Sequence, residues 1–334
     1  MSTEYANLVD PQLLAANIDA DYANESRLVR SGIVRIDGVP EEGTHYGWVK
    51  NKMFAGQSGQ AVGVGTELSV SSKEQSEFQL PIVKRGNSGE LDNTFEQIRK
   101  KAARQSWTTR QVEEEIAISL DAALRTNAGQ TLDDLMMSAL MGVASHCKTN
   151  SINYQDSSGS QVSLDLLGQA LATKGEAAST ITSNGYLACT GAMRMKLLRL
   201  GLIASQSTTV GLDNQNRYVN EGMVERILGM NIIDSDKITA PDASDQWLIM
   251  LEPEAMTAKN GALTVYAPQK IERRDAFVQE YYFRAGGIVN GFSWNASKTN
   301  VVSDSDLSTG TNYEVFAENN KNLPIAILEV DDPS

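Results

Sequence analysis

"TTRQVEEEIAISLDAALRTNAG", residues 108–129, and "TLDDLMMSALMGVASHC", residues 131–147, form the stretch on which the fold turns. Val112, Ile116, Leu120 and Leu124 recur four apart and so share one face of an α-helix. Asn127 to Gly129 reads as a helix stop. Thr131 then reads as a fresh N-cap, with Asp134 three residues later in a capping-box-like start. The same glycine fits a kink in one long helix. On either reading, residues 107–147 are the most helical part of the chain.

N-terminal to this stretch the pattern is β. "GTHYGWVKNKMF" (residues 43–54) and "TELSVSSKEQSEFQLPIVKRG" (residues 66–86) alternate as strands do, and "AGQSGQAVGVG" lies between them. The expectation is a long, extended hairpin over residues 43–91 that reaches a neighbouring molecule, with a surface loop as the plainer alternative. Before it, residues 1–40 read as an arm: a short amphipathic helix with Asp10 as cap and Pro11 in its first turn, then a strand in "SGIVRIDGVP".

C-terminal to the helix, short strands and helices alternate. "SLDLLGQALATKG" is helical with Ser163 as cap, "GYLACTG" a strand and "AMRMKLLRLGL" a helix; "MVERILGMNIIDSD" holds a strand over Leu228 to Asp236, and "DQWLIML" is another. "FVQEYYFRAGGIVNGFSW" (residues 277–294) is a long aromatic and β-branched strand whose glycines allow a bend. "NYEVFAENN" and "LPIAILEV" repeat the β signal, and no internal repeat is visible.

Composition narrows the function. The chain has 334 residues, 41% hydrophobic and 21% charged, enough for one large domain or two ordinary ones with a packed core. The most apolar run, Leu135 to Ala144, is too short to cross a bilayer, and the N-terminus has neither a basic start nor an apolar signal region. A cytoplasmic place of synthesis is the expectation. A net charge of −13 argues against sequence-specific nucleic-acid binding. The basic runs "IRKKAAR" and "MRMKLLR" read as solvated faces.

Catalytic signatures are absent from the sequence. There is no G-x-S-x-G elbow, no H-E-x-x-H and no phosphate-binding G-x-x-x-x-G-K-[ST] loop, and "GVGTEL" lacks the third glycine of a dinucleotide fingerprint. Two cysteines, Cys147 and Cys189, make no disulfide framework, and His146 beside Cys147 makes a poor metal pair. "NAS" at Asn295 matches a glycosylation triplet without a secretory context. Asp234 and Asp236 read as strand-ending turn residues next to "DKITAPDASD". The competing reading is an α/β enzyme that holds a divalent cation on Asp234, Asp236, Asp242 and Asp245.

The order of elements resembles the HK97-like major capsid protein of tailed bacteriophages. "VDPQLLAANIDADYANESRLVRSGIV" is similar to the arm and entry strand of such coat proteins, and "LDDLMMSALMGVASH" to the end of the spine helix. "MVERILGMNIIDSD" is similar to an A-domain strand, "FRAGGIVNGFSW" to the late P-domain strand and "NLPIAILEV" to the closing strand. The resemblance implies an α+β chain divided into an N-terminal arm (1–40), an E-loop β-hairpin (41–92), a P-domain spine-helix region (93–150), an α/β A-domain (151–262), long P-domain strands (263–300) and a C-terminal β segment (301–334).

It also implies a structural rather than catalytic role: hexamers and pentamers of an icosahedral head enclosing double-stranded DNA, in a virion assembled in the host bacterial cytoplasm. No cofactor, metal or membrane enters. The implied partners are further copies of the chain, a separate scaffolding protein (Met1 opens the chain without a scaffold-like extension), a portal protein, a decoration protein and, by weak non-specific contact, the packaged DNA. Interface residues expected on the hairpin are Trp48, Lys50, Lys52, Met53 and Phe54. Lys84 and Arg85 are expected to end the hairpin and meet Glu113, Glu114 and Glu115 of another subunit. A lysine–asparagine cross-link through Lys50 or Lys52 is not expected, for want of a positioned asparagine and acid. An encapsulin-like nanocompartment shell is the alternative within the same fold.

Overall fold

Residues Thr109–Asn150 form one continuous helix of 42 residues in a computed structural model of the chain. At 1.5 Å per residue it is about 60 Å long. The expected stop at Asn127–Gly129 does not occur, and Thr131 caps nothing. Its hydroxyl instead donates back to the carbonyl of Asn127 at 2.8 Å, within the helix. A glycine in a helix interior costs about 1 kcal/mol. Burial of Ala128, Leu132, Leu135 and Met136 along this part of the helix outweighs that. Asn127 is itself held, its side-chain oxygen accepting from the Tyr281 hydroxyl at 2.6 Å.

The structure describes residues 26–38, 45–52, 74–90, 109–206, 224–238, 244–260, 264–265, 269–271, 276–295, 302–317 and 319–331. The expected helix after Pro11, the run "IRKKAAR" and the glycine-rich stretch 55–65 lie outside them. In chain order the elements are α1 (Arg27–Ser31), β1 (Val34–Gly38), β2 (His45–Lys52), β3 (Glu74–Pro81), β4 (Val83–Glu90), α2 (Thr109–Asn150), β5 (Tyr154–Ser157), α3 (Leu164–Ala172), α4 (Ala178–Asn184), β6 (Tyr186–Cys189), α5 (Gly191–Arg199) and β7 (Ala204–Gln206). There follow β8 (Val224–Ile227), β9 (Met230–Asp234), β10 (Asp245–Leu251), β11 (Met256–Asn260), β12 (Thr264–Val265), β13 (Gln269–Ile271), β14 (Ala276–Val289), β15 (Phe292–Trp294), α6 (Asp304–Leu307), β16 (Tyr313–Val315) and β17 (Ile325–Asp331).

The chain divides into two units. The first comprises Met1–Thr44, Pro81–Met136 and Ala258–Gly287. Its six-stranded sheet runs β1-β11-β14-β12, with β4 and β13 also paired to β14. The 14-residue β14 can serve so many partners because it is long; β4 alone pairs with it from Val83↔Ala285 to Glu90↔Val278. The single arm expected over residues 66–86 is thus two strands: β3 pairs with β2, and after Ile82 the chain changes partner to β14. Helix α1 is capped twice. Ser26 accepts from the Val29 amide at 3.2 Å and donates to Asp133 at 2.5 Å. Asp133 in turn accepts the Arg27 and Leu28 amides at 2.9 and 3.2 Å. A carboxylate from α2 therefore satisfies amide donors that a helix start leaves unpaired.

The second unit comprises His45–Leu80, Met137–Thr257 and Ile288–Ser334. Its seven-stranded sheet has the order β5-β17-β10-β6-β9-β8-β7. The β5–β17 and β6–β9 pairs are parallel, while β17–β10, β10–β6, β9–β8 and β8–β7 are antiparallel. The C-terminal strand β17 is buried from Ile325 to Val330 and paired on both sides. Alternate residues Ala326, Leu328 and Val330, with Leu187, Cys189, Leu248 and Met250, face a layer made of α3, α4 and α5. Those helices contribute Leu167, Ala170, Leu171, Ile181, Met193 and Leu197. As expected, Ser163 caps α3, accepting from the Leu166 amide at 3.2 Å. The base of the β2–β3 hairpin is tied in by the Gln79 amide, which donates at 3.0 Å to the buried Ser293 hydroxyl on β15.

The strand expected over Leu228 to Asp236 is β9, and Val224–Ile227 before it form β8, paired with it as a hairpin. Leu228 and Gly229 both have positive φ, 47° and 82°, and join β8 to β9 in a two-residue turn. The glycine is required twice over, since a Cβ there would lie 2.0 Å from the Thr182 carbonyl oxygen.

Candidate functional site

The aspartates of the competing metal reading have structural surroundings. Asp234 is the last residue of β9, in register with Cys189, and has Arg194 at 3.9 Å. Beyond it the chain turns: the Ser235 amide donates to the Cys189 carbonyl at 3.0 Å, and the Ile238 amide returns to Ser235 at 3.3 Å. Asp236 stands in that turn, and Asp245 is buried at the start of β10 opposite Asp331. Asp242 lies outside the described residues. Among the described residues no group of three His, Cys, Asp or Glu is placed to hold a metal ion. No described helix is long and apolar enough to cross a membrane.

The expected interface residues fall on three elements. Trp48, Lys50 and Lys52 are on β2 of the paired hairpin. Met53 and Phe54 lie outside the described residues. Glu113, Glu114 and Glu115 are near the start of α2. Lys84 and Arg85 do not end the hairpin. They sit inside β4, in register with Arg284 and Phe283 of β14. The reason is local. Gly86 pairs with Tyr282, and a Cβ at Gly86 would lie 2.3 Å from the Tyr282 ring and 2.6 Å from the Tyr281 carbonyl oxygen. The tyrosine fills the space above the glycine, and the exposed Lys84 ammonium rests 4.7 Å from the centre of its ring.

Sequence reasoning missed a buried polar cluster on the sheet of the second unit. Glu329 of β17 is 2% exposed. Its carboxylate accepts from Lys148 of α2 at 2.8 Å, from the Trp247 indole at 3.0 Å and from the Tyr154 hydroxyl. Burial first, then the bond to Glu329, pushes the Tyr154 hydroxyl well above its ordinary range, so it stays a donor. The signal was present: a glutamate among Ile327, Leu328 and Val330 must find donors once it is buried. The cluster joins the C-terminal end of α2 to the face of the sheet opposite α3, α4 and α5.

A second feature lies at the surface. Thr190 caps α5, accepting from the Met193 amide at 3.2 Å. Met193 and Leu197 turn into the core, leaving Met195 (51% exposed), Leu198 (36%) and Leu200 (45%) on the surface among Arg194, Lys196 and Arg199. Leu164, at the start of α3, is 45% exposed beside Asp165. The run "MRMKLLR", expected as a merely solvated face, thus carries an apolar stripe.

No protein-family model matches the chain, and no curated protein matches it. Solved capsid structures do resemble it. The capsid of native GTA particle is 12% identical over 92% of this chain and 90% of its own, with a TM-score of 0.49. The bacteriophage PhiM1 mature capsid is 7% identical over 90% and 86%, with a TM-score of 0.47. A chain of Mycobacterium phage Bobi is 10% identical over 92% and 91%, also at 0.47. Each likeness is of low identity and extends over nearly the whole chain.

Proposed function

We propose that this chain is the major coat subunit of an icosahedral phage head, a structural protein that assembles into hexamers and pentamers around double-stranded DNA. One observation carries the reading, the order of elements. The paired hairpin β2–β3, the 42-residue α2, the mixed seven-stranded sheet, the 14-residue β14 and the closing β17 follow one another as the sequence resemblance anticipates. In this reading the hairpin and α2 serve as E-loop and spine, the seven-stranded sheet as A-domain, and the six-stranded sheet as part of the P-domain.

The physical chemistry supports a scaffold rather than a catalyst. The buried Glu329 carboxylate is held by Lys148, Trp247 and Tyr154, an arrangement that ties α2 to the sheet. A net charge of −13 keeps a shell lining from gripping packaged phosphates, whose attraction is sequence-independent. The hairpin residues Trp48, Lys50 and Lys52, with Met53 and Phe54 beyond them, are assigned to contact with an adjacent subunit. Exposed Lys84, with Arg85, is assigned to Glu113–Glu115 of a neighbour, many weak contacts being multiplied by valency. A scaffolding protein, a portal and a decoration protein are the further partners, and the virion is the location.

The test is electron microscopy of the purified chain, expressed alone and with a scaffolding protein. Closed shells, or uniform hexamers and pentamers, are expected. Shells filled with protein cargo and devoid of DNA during infection would turn the reading to a nanocompartment. A persistent monomer or dimer under both conditions overturns it.

A further inference from the structure

Asparagine followed by glycine occurs in the chain at 184–185, 260–261 and 290–291. Glycine has no Cβ, so its amide nitrogen can approach the carboxamide carbon of the asparagine before it. Gly261 lies outside the described residues, and the other two pairs stand in different surroundings. At the turn after β14 the Asn290 carboxamide is clamped at both ends. Its nitrogen donates to the Glu254 carbonyl at 2.7 Å, and its oxygen accepts from the Thr257 hydroxyl at 2.7 Å. The Asn290 backbone amide is held as well, donating to the Ala255 carbonyl at 2.8 Å. Asn184 is the last residue of α4 and is exposed. Among the described residues its carboxamide has no hydrogen-bond partner.

What restrains the pair at 184–185 is one backbone bond: the Gly185 amide donates to the Ile181 carbonyl at 2.7 Å and closes the last turn of α4. That turn is weakly held. The helix has seven residues, no side chain caps its start, and Ile181 is its buried residue. The hydroxyls of Thr182 and Ser183 donate back to the carbonyls of Ser179 and Thr180, a pattern that weakens a helix slightly. So short a helix is marginal on its own and opens locally. The glycine itself is fixed by packing, since a Cβ at Gly185 would lie 2.3 Å from the Ile181 carbonyl oxygen and 2.6 Å from that of Leu251.

We propose that Asn184 is a site of spontaneous deamidation. When the last turn of α4 opens, the Gly185 nitrogen attacks the carboxamide carbon of Asn184. A new N–C bond closes a succinimide ring, the bond from that carbon to Nδ2 breaks, and Nδ2 leaves as ammonia with the Gly185 amide proton. Water then opens the ring at either carbonyl and leaves an aspartyl or an iso-aspartyl residue at this position. Both products put a negative charge at the C-terminus of α4, where the helix dipole disfavours it. The iso-aspartyl product also adds a methylene to the main chain beside Gly185. The Gly185 carbonyl accepts from the Asn231 amide at 2.9 Å, next to the start of the β6–β9 pair, so the disturbance reaches the entry to β6.

Peptide mapping by mass spectrometry tests it. The purified full chain is incubated at mildly alkaline pH and sampled over days, with a urea-unfolded sample as reference. The native chain is expected to convert at Asn184 to a mixture of the two acids. Asn290 is expected to convert about tenfold more slowly, because its two side-chain hydrogen bonds must open first. In urea the two sites should convert at similar rates. A native chain in which Asn290 converts as fast as Asn184 overturns the proposal. So does an Asn184 that persists while the unfolded reference converts. Thr257→Val removes one of the two bonds and leaves α4 untouched, so the Asn184 rate serves as its internal folding control. That variant is expected to speed conversion at Asn290 alone, and an unchanged Asn290 rate overturns the account of why the two sites differ.

Discussion

The ammonium of Lys148 lies 2.8 Å from the carboxylate of Glu329, and the two differ sharply in exposure. The lysine side chain is 34% exposed and the glutamate 3%. Removing the lysine therefore strands a buried charge among neutral donors, whereas removing the glutamate's charge leaves an ammonium that can still reach water.

Stability should follow that asymmetry. Lys148→Met is expected to cost about 3 kcal/mol and Glu329→Gln about 1 kcal/mol, the amide still accepting from Trp247. The double variant should recover part of the loss. Urea denaturation of all three against the wild type is the measurement, and the reverse order of the single variants contradicts the account.

Asp133 should matter to α1 more than to its own helix. Its carboxylate accepts from Ser26, Arg27 and Leu28, so Asp133→Ala leaves the start of α1 unsatisfied. A loss of about 1–2 kcal/mol is expected, as for an ordinary N-cap. Amide hydrogen exchange should rise at residues 27–31 while residues 132–147 of α2 stay protected.

Gly86 allows β4 to pass under Tyr282. Gly86→Ala brings a methyl within 2.3 Å of the ring and 2.6 Å of the Tyr281 carbonyl oxygen, and is expected to cost about 1–3 kcal/mol. Adding Tyr282→Ala should restore only part of it, because the backbone oxygen remains. Thermal melting of the two variants checks both statements.

Burial pushes the Cys147 thiol from 9.0 up to about 12. A raised value favours the neutral form in the folded chain, so its contribution is complete below pH 9 and is lost as pH rises towards 12. The urea midpoint of the wild type should fall through that window, more steeply than that of Cys147→Ala. Tyr154 and Tyr313, both raised by burial, add to the fall in the same sense above about pH 10. At neutral pH the native thiol should resist alkylating reagents until the chain unfolds.

What the sequence by itself determined is whatever local physics controls. The four-residue spacing of Val112, Ile116, Leu120 and Leu124 marks a helix, and one is there. Ser163 before an apolar run marks a cap, and it caps. The aromatic stretch 277–294 marks a long strand, and Asp234 and Asp236 mark a strand end and turn.

Tertiary structure decided the rest. Gly129 does not break α2, because the leucines and methionines after it are buried, a gain no local rule contains. The segment after Ile82 leaves the hairpin because β14, two hundred residues away, offers a partner. The closing strand β17 enters the sheet between β5 and β10, so Glu329 meets Lys148 across 181 residues of chain.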